Sequence, residues 1–553
     1  MDYSNADTFS RDYLCVELMS KFPSWDIGVD RTAVAKQKFF EVESVLAKLD
    51  FSQNPRYRLG KKTTTARAIM MTARNKIAKI LGECDLDEIY RSFAFGPGAS
   101  TSMPRRRGDA AYKFGAIEPH VTYNALPLAD ALLKAHPTWH FKAKVVDGSR
   151  LITVPKNAKT DRTICIEPDL NMYCQKGLGK IIRRRLQRWG LLLPDAQDRN
   201  AALAREGSAN GRLATVDLSS ASDSIHLGLV GQLLPSEWCN LIELMRSPQV
   251  VLPTGQKHLL RKVSSMGNGF TFELETLIFY GVVRAVMDLL APEGMDLRCT
   301  VFGDDIVVGI EVVPVLEEVF SYLGFVMNTK KTFSSGPFRE SCGKHYFAGT
   351  DVSPFYVRSP IDSVLRKYWA ANTIRRYSRL SWGLDSRWQN AYQGVVDAIP
   401  SRFRGFKIPE GCGDGGLVCD WDEATPVRAE DQHDAWVYRH IAPRKREDVF
   451  DNHGTILKVL HTLELSGASQ NLFPPNVVKT ILFWERFTSG IRNSPIDGDT
   501  FAVEEDIFDL METELFQWAQ MVSELQPSKI PQPQGHRIAR STVQRWSSFG
   551  PWL

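Results

Sequence analysis

The chain of 553 residues is 43% hydrophobic and 24% charged, the balance of a soluble globular protein with room for two or three domains, and this excludes a disordered or fibrous chain. Its net charge of only +4 leaves any affinity for nucleic acid to local basic patches.

Nine cysteines (Cys15, Cys84, Cys165, Cys174, Cys239, Cys299, Cys342, Cys412 and Cys419) stand singly with no C-x-x-C pair, a pattern of reduced thiols in a cytosolic protein rather than of a zinc or redox site. The opening M-D-Y-S-N-A-D has neither the basic nor the apolar region of a secretory signal.

In chain order, the first chemically distinctive stretch is residues 142–188, where twelve bases face only Asp147, Asp161, Glu167 and Asp169. Within it, T-V-P-K-N-A-K-T-D-R-T has the Pro, Asn and Asp of an extended loop, so Lys156, Lys159 and Arg162 can converge on a triphosphate. The run R-R-R-L-Q-R at 183–188 reads as a solvated or template-facing helix surface. Residues 213–218 (L-A-T-V-D-L) form a short strand ending at Asp217, and Asp223 follows in T-V-D-L-S-S-A-S-D-S.

The loop S-S-M-G-N-G-F at 264–270 opens into a helix predicted over 269–290. Asn268 or Ser265 could cap that helix; as a functional loop, the same residues would let backbone approach a nucleotide while Asn268 offers an amide to a ribose hydroxyl. The apolar run 270–291 is broken by Glu273, Glu275, Arg284 and Asp288, so it is a core helix rather than a membrane span. Strands over 298–302 and 306–312 flank G-D-D, a helix follows over 315–323, and 325–327 is a strand again. This order suits an α+β antiparallel sheet of the ferredoxin-like kind, with helices on one face.

By itself F-G-D-D is equally a surface turn bearing two solvated acids. If its strands neighbour the one carrying Asp217, however, Asp217 and Asp304 meet at their ends as an oxygen-lined site suited to Mg²⁺. Two such ions support in-line phosphoryl displacement. Later in the chain, bases and aromatics interleave from Arg366 through Tyr368, Arg375, Arg376 and Arg379 to Trp382, as in a surface that tracks an RNA duplex or as ordinary core aromatics on a basic helix. Residues 502–525 read as an acidic amphipathic helix, and 526–553, rich in Pro, Gln and bases, as a tail without a packed core of its own.

The words V-P-K-N-x-K-T-D-R, T-V-D-L-S-S-A-S-D-S, S-M-G-N-G-F-T-F-E-L-E, G-D-D, N-T-K-K-T-F and P-F-R-E-S-C-G-K-H, in this order, resemble the palm motifs of viral RNA-dependent RNA polymerases. More narrowly they resemble the replicase β subunit of single-stranded RNA bacteriophages, the Qβ-like leviviruses. The resemblance spans residues 142 to about 358 and is weak in the first 90 residues and after about 361. Phe302 stands where the family usually has a tyrosine before G-D-D, a position that does not ligate metal.

The resemblance implies a polymerase right hand: N-terminal region and fingers over 1–210, palm over 211–360 with a fingers insertion near 233–263, a mainly helical thumb and C-terminal region over 361–525, and the tail 526–553. It implies template-directed synthesis replicating a phage RNA genome, by two-metal phosphoryl transfer with release of pyrophosphate, in the cytoplasm of the infected bacterial host. Asp217 and Asp304 would be the principal ligands of two Mg²⁺ ions, for which Mn²⁺ could substitute, with Asp305 a neighbour in the same metal site. Lys330 or Lys331 would protonate departing pyrophosphate; Lys156, Lys159 and Arg162 would hold the triphosphate; Asp223, Ser265, Gly267 and Asn268 would contact the nucleotide. Its implied partners are RNA template and product, ribonucleoside triphosphates, host elongation factors Tu and Ts, and a host ribosomal RNA-binding protein. A reverse transcriptase is the rival enzyme, disfavoured by the small serines and alanine after Asp217; a non-catalytic RNA-binding protein would need no set of carboxylates.

Overall fold

A computed structural model describes residues 5–23, 25–135, 139, 141–429, 435–443, 454, 457, 458, 461, 536–546 and 548–553. The helix expected over 502–525 lies outside the described residues. The chain divides into two compact units, one holding residues 1–11, 29–353 and 450–529, the other 12–28, 354–449 and 530–553.

The first unit is built on a three-stranded antiparallel sheet with Asp305–Gly309 at its centre, flanked by Thr300–Phe302 and Leu213–Val216. β-Branched residues supply most of the central strand because both its faces are covered. Ile306 and Val308 enter the main core, while Val307, pointing the other way, is equally buried. On that opposite face the backbone N–H of Glu340 reaches the Thr215 hydroxyl at 3.4 Å, and the Arg339 guanidinium donates to the Leu213 carbonyl at 2.7 Å. The second face of the sheet is thus covered too, Val307 and Thr215 being buried on it.

The long helix is Thr271–Leu290, two residues shorter at its start than the sequence pattern suggests. It packs its apolar positions into the core, and its acids Glu273 and Glu275 are themselves buried. The strand expected over 306–312 stops at Gly309, because Ile310–Val312 winds into a 3₁₀ turn leading to the helix Val313–Tyr322, which carries proline in its first turn. A second sheet, ordered Lys257–Leu259, Gln249–Val251, Ser149–Pro155, Asp161–Ile166, carries the basic hairpin.

Three of the four arginines of 183–188 pair with acids, while Arg188 is exposed. Along the helix Asp169–Arg188, Arg183 donates to Glu273 at 2.9 Å, while Arg184 and Arg185 share Glu88 at 3.4 and 2.5 Å. All nine cysteines are free thiols, and no described helix is long and apolar enough to cross a membrane.

In the second unit the described residues include both helix and strand. Besides the helix Val364–Tyr377 there is an antiparallel sheet in which Trp436–Pro443 pairs with His536–Val543 over eight residues. The expected tail is thus structural in its described part. The alternation H-R-I-A-R-S-T-V is a strand pattern that the preceding prolines and glutamines obscure. Beyond it, the backbone N–H groups of Phe549 and Gly550 donate to the Asp420 carboxylate at 2.7 and 2.9 Å, and Phe549 is buried. The basic-aromatic helix also turns inward: Tyr368 is fully buried and donates to the Phe403 carbonyl, Arg375 pairs with Asp420 and Glu423, and Arg376 with Glu410 and Asp414. Trp382, by contrast, is 87% exposed.

Candidate active site

Strand register brings the carboxylates together. Ile306 pairs with Val216 and Phe302 with Asp305, so Asp217, one residue past Val216, lies at the sheet end where Gly303 and Asp304 make the two-residue hairpin loop. Gly303 has φ +63°, as the first loop position of a II′-type turn requires. A side chain there would also strike the Phe272 ring, 2.6 Å from the position of a Cβ. Its N–H donates to the buried Thr276 hydroxyl at 2.9 Å, anchoring the turn to the long helix.

Asp217 is held from the N-T-K-K-T segment. The Asn328 side-chain amide donates to Asp217 Oδ2 at 2.6 Å and the Asn328 backbone N–H to the Asp217 carbonyl at 2.9 Å, while the Asp217 N–H donates to the Thr332 hydroxyl at 3.3 Å. Burial raises the Asp217 pKa, Asp304 and Glu340 adding to it, against the opposing pull of Lys331 and Asn328. Asp305 is pushed up to about 6, by burial first and then by Asp304 and Asp217, although the backbone N–H of Cys342 opposes this. Carboxylates gathered this way repel one another until a cation joins them.

Among the described residues no group of three or more His, Cys, Asp or Glu side chains is arranged to hold a metal ion. Mg²⁺, however, commonly takes one or two carboxylates and completes its shell with waters and substrate phosphates. Asp217 and Asp304, hard oxygen donors at one strand end with Asp305 beside them, fit that demand by their chemistry.

The basic hairpin reaches the same place. Asn157 Oδ1 accepts the N–H groups of Lys159 and Thr160, each at 3.0 Å, shaping the turn between the strands, and Arg162 sits opposite Val154. Burial lowers the Lys156 pKa, with Arg162, Lys38 and Lys331 repelling the ammonium and Asp217 attracting it. Of the lysine pair, Lys331 acts electrostatically on both Asp217 and Lys156, and its ammonium lies 3.3 Å from Glu340.

The glycine loop serves packing in a way its sequence does not reveal. A Cβ at Gly267 (φ +109°) would lie 2.2 Å from the Cys165 carbonyl oxygen, and one at Gly269 2.6 Å from the Lys176 nitrogen. Asn268 is not the helix cap: Phe270 occupies that position, and Asn268 Oδ1 accepts the Phe270 N–H two residues on, at 3.0 Å. The Asn268 amide nitrogen and the hydroxyls of Ser264 and Ser265 are buried without a hydrogen bond of good geometry, although Asn268 acts on the Glu167 carboxyl and Ser265 on the Cys165 thiol. Asp223 takes a different partner, the ammonium of Lys262 at 3.0 Å, so Asp223 and Asn268 do not hydrogen-bond each other.

Three carboxylate or amide neighbours escaped the sequence reading of roles. Asn328, Glu340 and Glu275 all lie inside the motifs that carry the family resemblance, which was the available signal. Glu275 is a buried acid on the long helix whose pKa is pushed up to about 8, by burial first, with Asp304, Asp223 and Glu273 adding repulsion and Ser222 opposing.

The family model for the RNA replicase β-chain matches residues 2–470. The chain belongs to that family. The match reaches well beyond the motif-bearing stretch, into the N-terminal region and past residue 361. Among the replicase relatives, the RNA-directed RNA polymerase subunit β of Escherichia virus Qbeta is 42% identical over 423 residues, covering 74% of this chain and 70% of that one. That of Enterobacteria phage SP is 40% identical over 422 residues, covering 74% and 72%. The β chain of Escherichia phage MS2 is 39% identical over 329 residues, covering 57% and 59%. Among solved structures, an RNA-dependent RNA polymerase of BmCPV in its elongation state is similar at 10% identity with a TM-score of 0.36, covering 64% of this chain and 37% of that one, too distant a likeness to place any element.

Proposed function

We propose that this replicase β chain carries out template-directed RNA synthesis at the sheet end bearing Asp217, Asp304 and Asp305, with the first unit supplying fingers and palm and residues after about 361 a thumb. The observation that carries the reading is the convergence, in one unit, of three carboxylates with Lys156 of the basic hairpin and Lys331. Divalent ions such as Mg²⁺, when held by Asp217 and Asp304, would lower the charge barrier to in-line attack by an RNA 3′-hydroxyl on the α-phosphate.

The remaining roles belong to the chain's own residues. Asn328 and Thr332 fix Asp217. Lys156, Lys159 and Arg162 orient the triphosphate, and Lys331, whose charge acts on Asp217 and Lys156, is the favoured donor of a proton to pyrophosphate, general acid catalysis worth roughly 10²–10⁴-fold. Asp223 and the buried polar groups of the 264–270 loop, Ser265 and Asn268 among them, meet the ribose. Host elongation factors Tu and Ts and a ribosomal RNA-binding protein complete the active particle.

The test is incorporation of labelled ribonucleotides by the purified chain on RNA, with and without host lysate. Synthesis that needs template, divalent cation and lysate is the expected result. Template-independent incorporation, or none under any condition, would overturn the reading.

A further inference from the structure

Lys262 is a fully buried cation, absent from the chemistry so far. Its place follows from local pairing: the Val263 N–H donates to the Ile225 carbonyl at 2.8 Å and the Leu227 N–H to the Arg261 carbonyl at 3.0 Å, with Lys262 bridged to His226. This lays residues 261–263 beside the segment that follows Asp223. The ammonium then lies 3.0 Å from Asp223 Oδ1, 3.6 Å from Glu43 Oε1 and 3.4 Å from the centre of the Phe39 ring.

Phe39 and Glu43 are one turn apart on the helix Arg31–Leu46, both buried. Glu43 is fixed in turn, accepting the Arg261 N–H at 2.9 Å. A desolvated ammonium is costly unless opposite charge surrounds it, and breaking a buried pair from one side leaves the other charge uncompensated. Held by ring and carboxylate from the helix side, Lys262 leaves Asp223 little freedom to rotate.

We propose that Lys262 is a positioning residue for sugar selection: it holds the Asp223 carboxylate in one orientation toward the nucleotide, and Glu43 and Phe39 hold Lys262. The inference rests on the reading of Asp223 as a ribose contact. A helix that also touches the basic hairpin, Thr32 donating to Asp161 at 3.0 Å, thereby takes part in choosing between ribose and deoxyribose, because a 2′-hydroxyl is recognised only by a partner whose lone pairs are already aimed.

The experiment measures kcat/KM for GTP and dGTP on the active particle carrying Asp223→Ala, Lys262→Met, Glu43→Gln, or Asp223→Ala with Lys262→Met, each beside a thermal melt. Asp223→Ala and Lys262→Met should each narrow the ribo-to-deoxy ratio by about five- to tenfold, and Glu43→Gln by less. The double variant should have the ratio of Asp223→Ala alone, since the lysine acts only through that carboxylate. A lowered melting temperature with an unchanged ratio in Lys262→Met overturns the inference while the reading of Asp223 stands. If Lys262→Met does not fold, Glu43→Gln decides: an unchanged ratio there overturns the inference. An unchanged ratio in Asp223→Ala overturns the reading of Asp223 and the inference together.

Discussion

Asn328 grips Asp217 twice, by its side-chain amide at 2.6 Å to the carboxylate and by its backbone N–H at 2.9 Å to the carbonyl. The second contact continues the pairing of Val326–Met327 with Leu218–Ser219, so the short strand after the helix exists to deliver an amide to the carboxylate. Asn328→Ala keeps the backbone contact and removes the side-chain one, which to a charged acceptor is worth about 1.5–3 kcal/mol. Single-turnover synthesis should slow by about tenfold or more, with RNA affinity unchanged in filter binding.

Asp304 lies in the hairpin turn and is the carboxylate whose removal should cost most. Asp304→Asn preserves size and hairpin geometry but removes the charge. It should lower kcat by on the order of 10³ or more while leaving RNA binding intact. Wild-type synthesis by this variant would remove Asp304 from the mechanism.

Burial of Glu275 makes a pH-dependent signature. Its carboxyl titrates at about 8 in the fold, against an ordinary 4.5, so the folded chain binds its proton more tightly than the unfolded chain. The associated stability is fully present below pH 4.5 and is lost as pH rises through about 8. Gln resembles the protonated acid and does not titrate. In chelating buffer, Glu275→Gln should match wild type in melting temperature near pH 4.5 and exceed it increasingly up to about pH 8. Parallel curves would mean that the carboxyl is already ionised in the fold.

The hairpin and the strand before Asp217 were legible because β-branched runs broken by a glycine admit few other conformations, and because register then fixes which residues share a strand end. What escaped depended on distant partners. Glu273 and Glu275 read as interruptions of an apolar helix, since only the fold reveals that Arg183 neutralises Glu273 and that Glu275 sits beside Asp304. Lys262 carries no signal of its role in the sequence, its burial being set by Phe39 and Glu43 more than 200 positions earlier. In the basic-aromatic helix the reverse occurred: Arg375 and Arg376 spend their charge on acids of residues 410–423, which local composition could not disclose.

The C-terminal strand leads to a prediction about the second unit. Asp420 receives two N–H groups from Phe549 and Gly550 and lies 3.3 Å from the buried Arg375. Asp420→Ala should destabilise that unit by about 3 kcal/mol, and deletion of residues 536–553 should expose it to limited proteolysis. Unchanged digestion of the truncated chain would show that the strand is dispensable.

Asn268 is where local structure and nucleotide chemistry compete for one side chain. Its Oδ1 is used by the Phe270 N–H, but its buried amide nitrogen makes no hydrogen bond of good geometry and only leans on the Glu167 carboxyl. A buried donor left without a partner costs about 1–3 kcal/mol, and a ribose hydroxyl, which both donates and accepts, could relieve that cost where a deoxyribose could not. Glu167, whose carboxyl the same amide draws downward against the upward push of burial, is already satisfied by Ser247 at 2.6 Å and Gln175 at 3.1 Å. A ribose hydroxyl would therefore compete with Glu167 for the amide. Asn268→Ala should bring kcat/KM for GTP and dGTP closer by about fivefold or more and lower the melting temperature through the lost turn contact. A lowered melting temperature with the GTP to dGTP ratio unchanged would assign Asn268 to the turn alone and leave sugar recognition to Asp223.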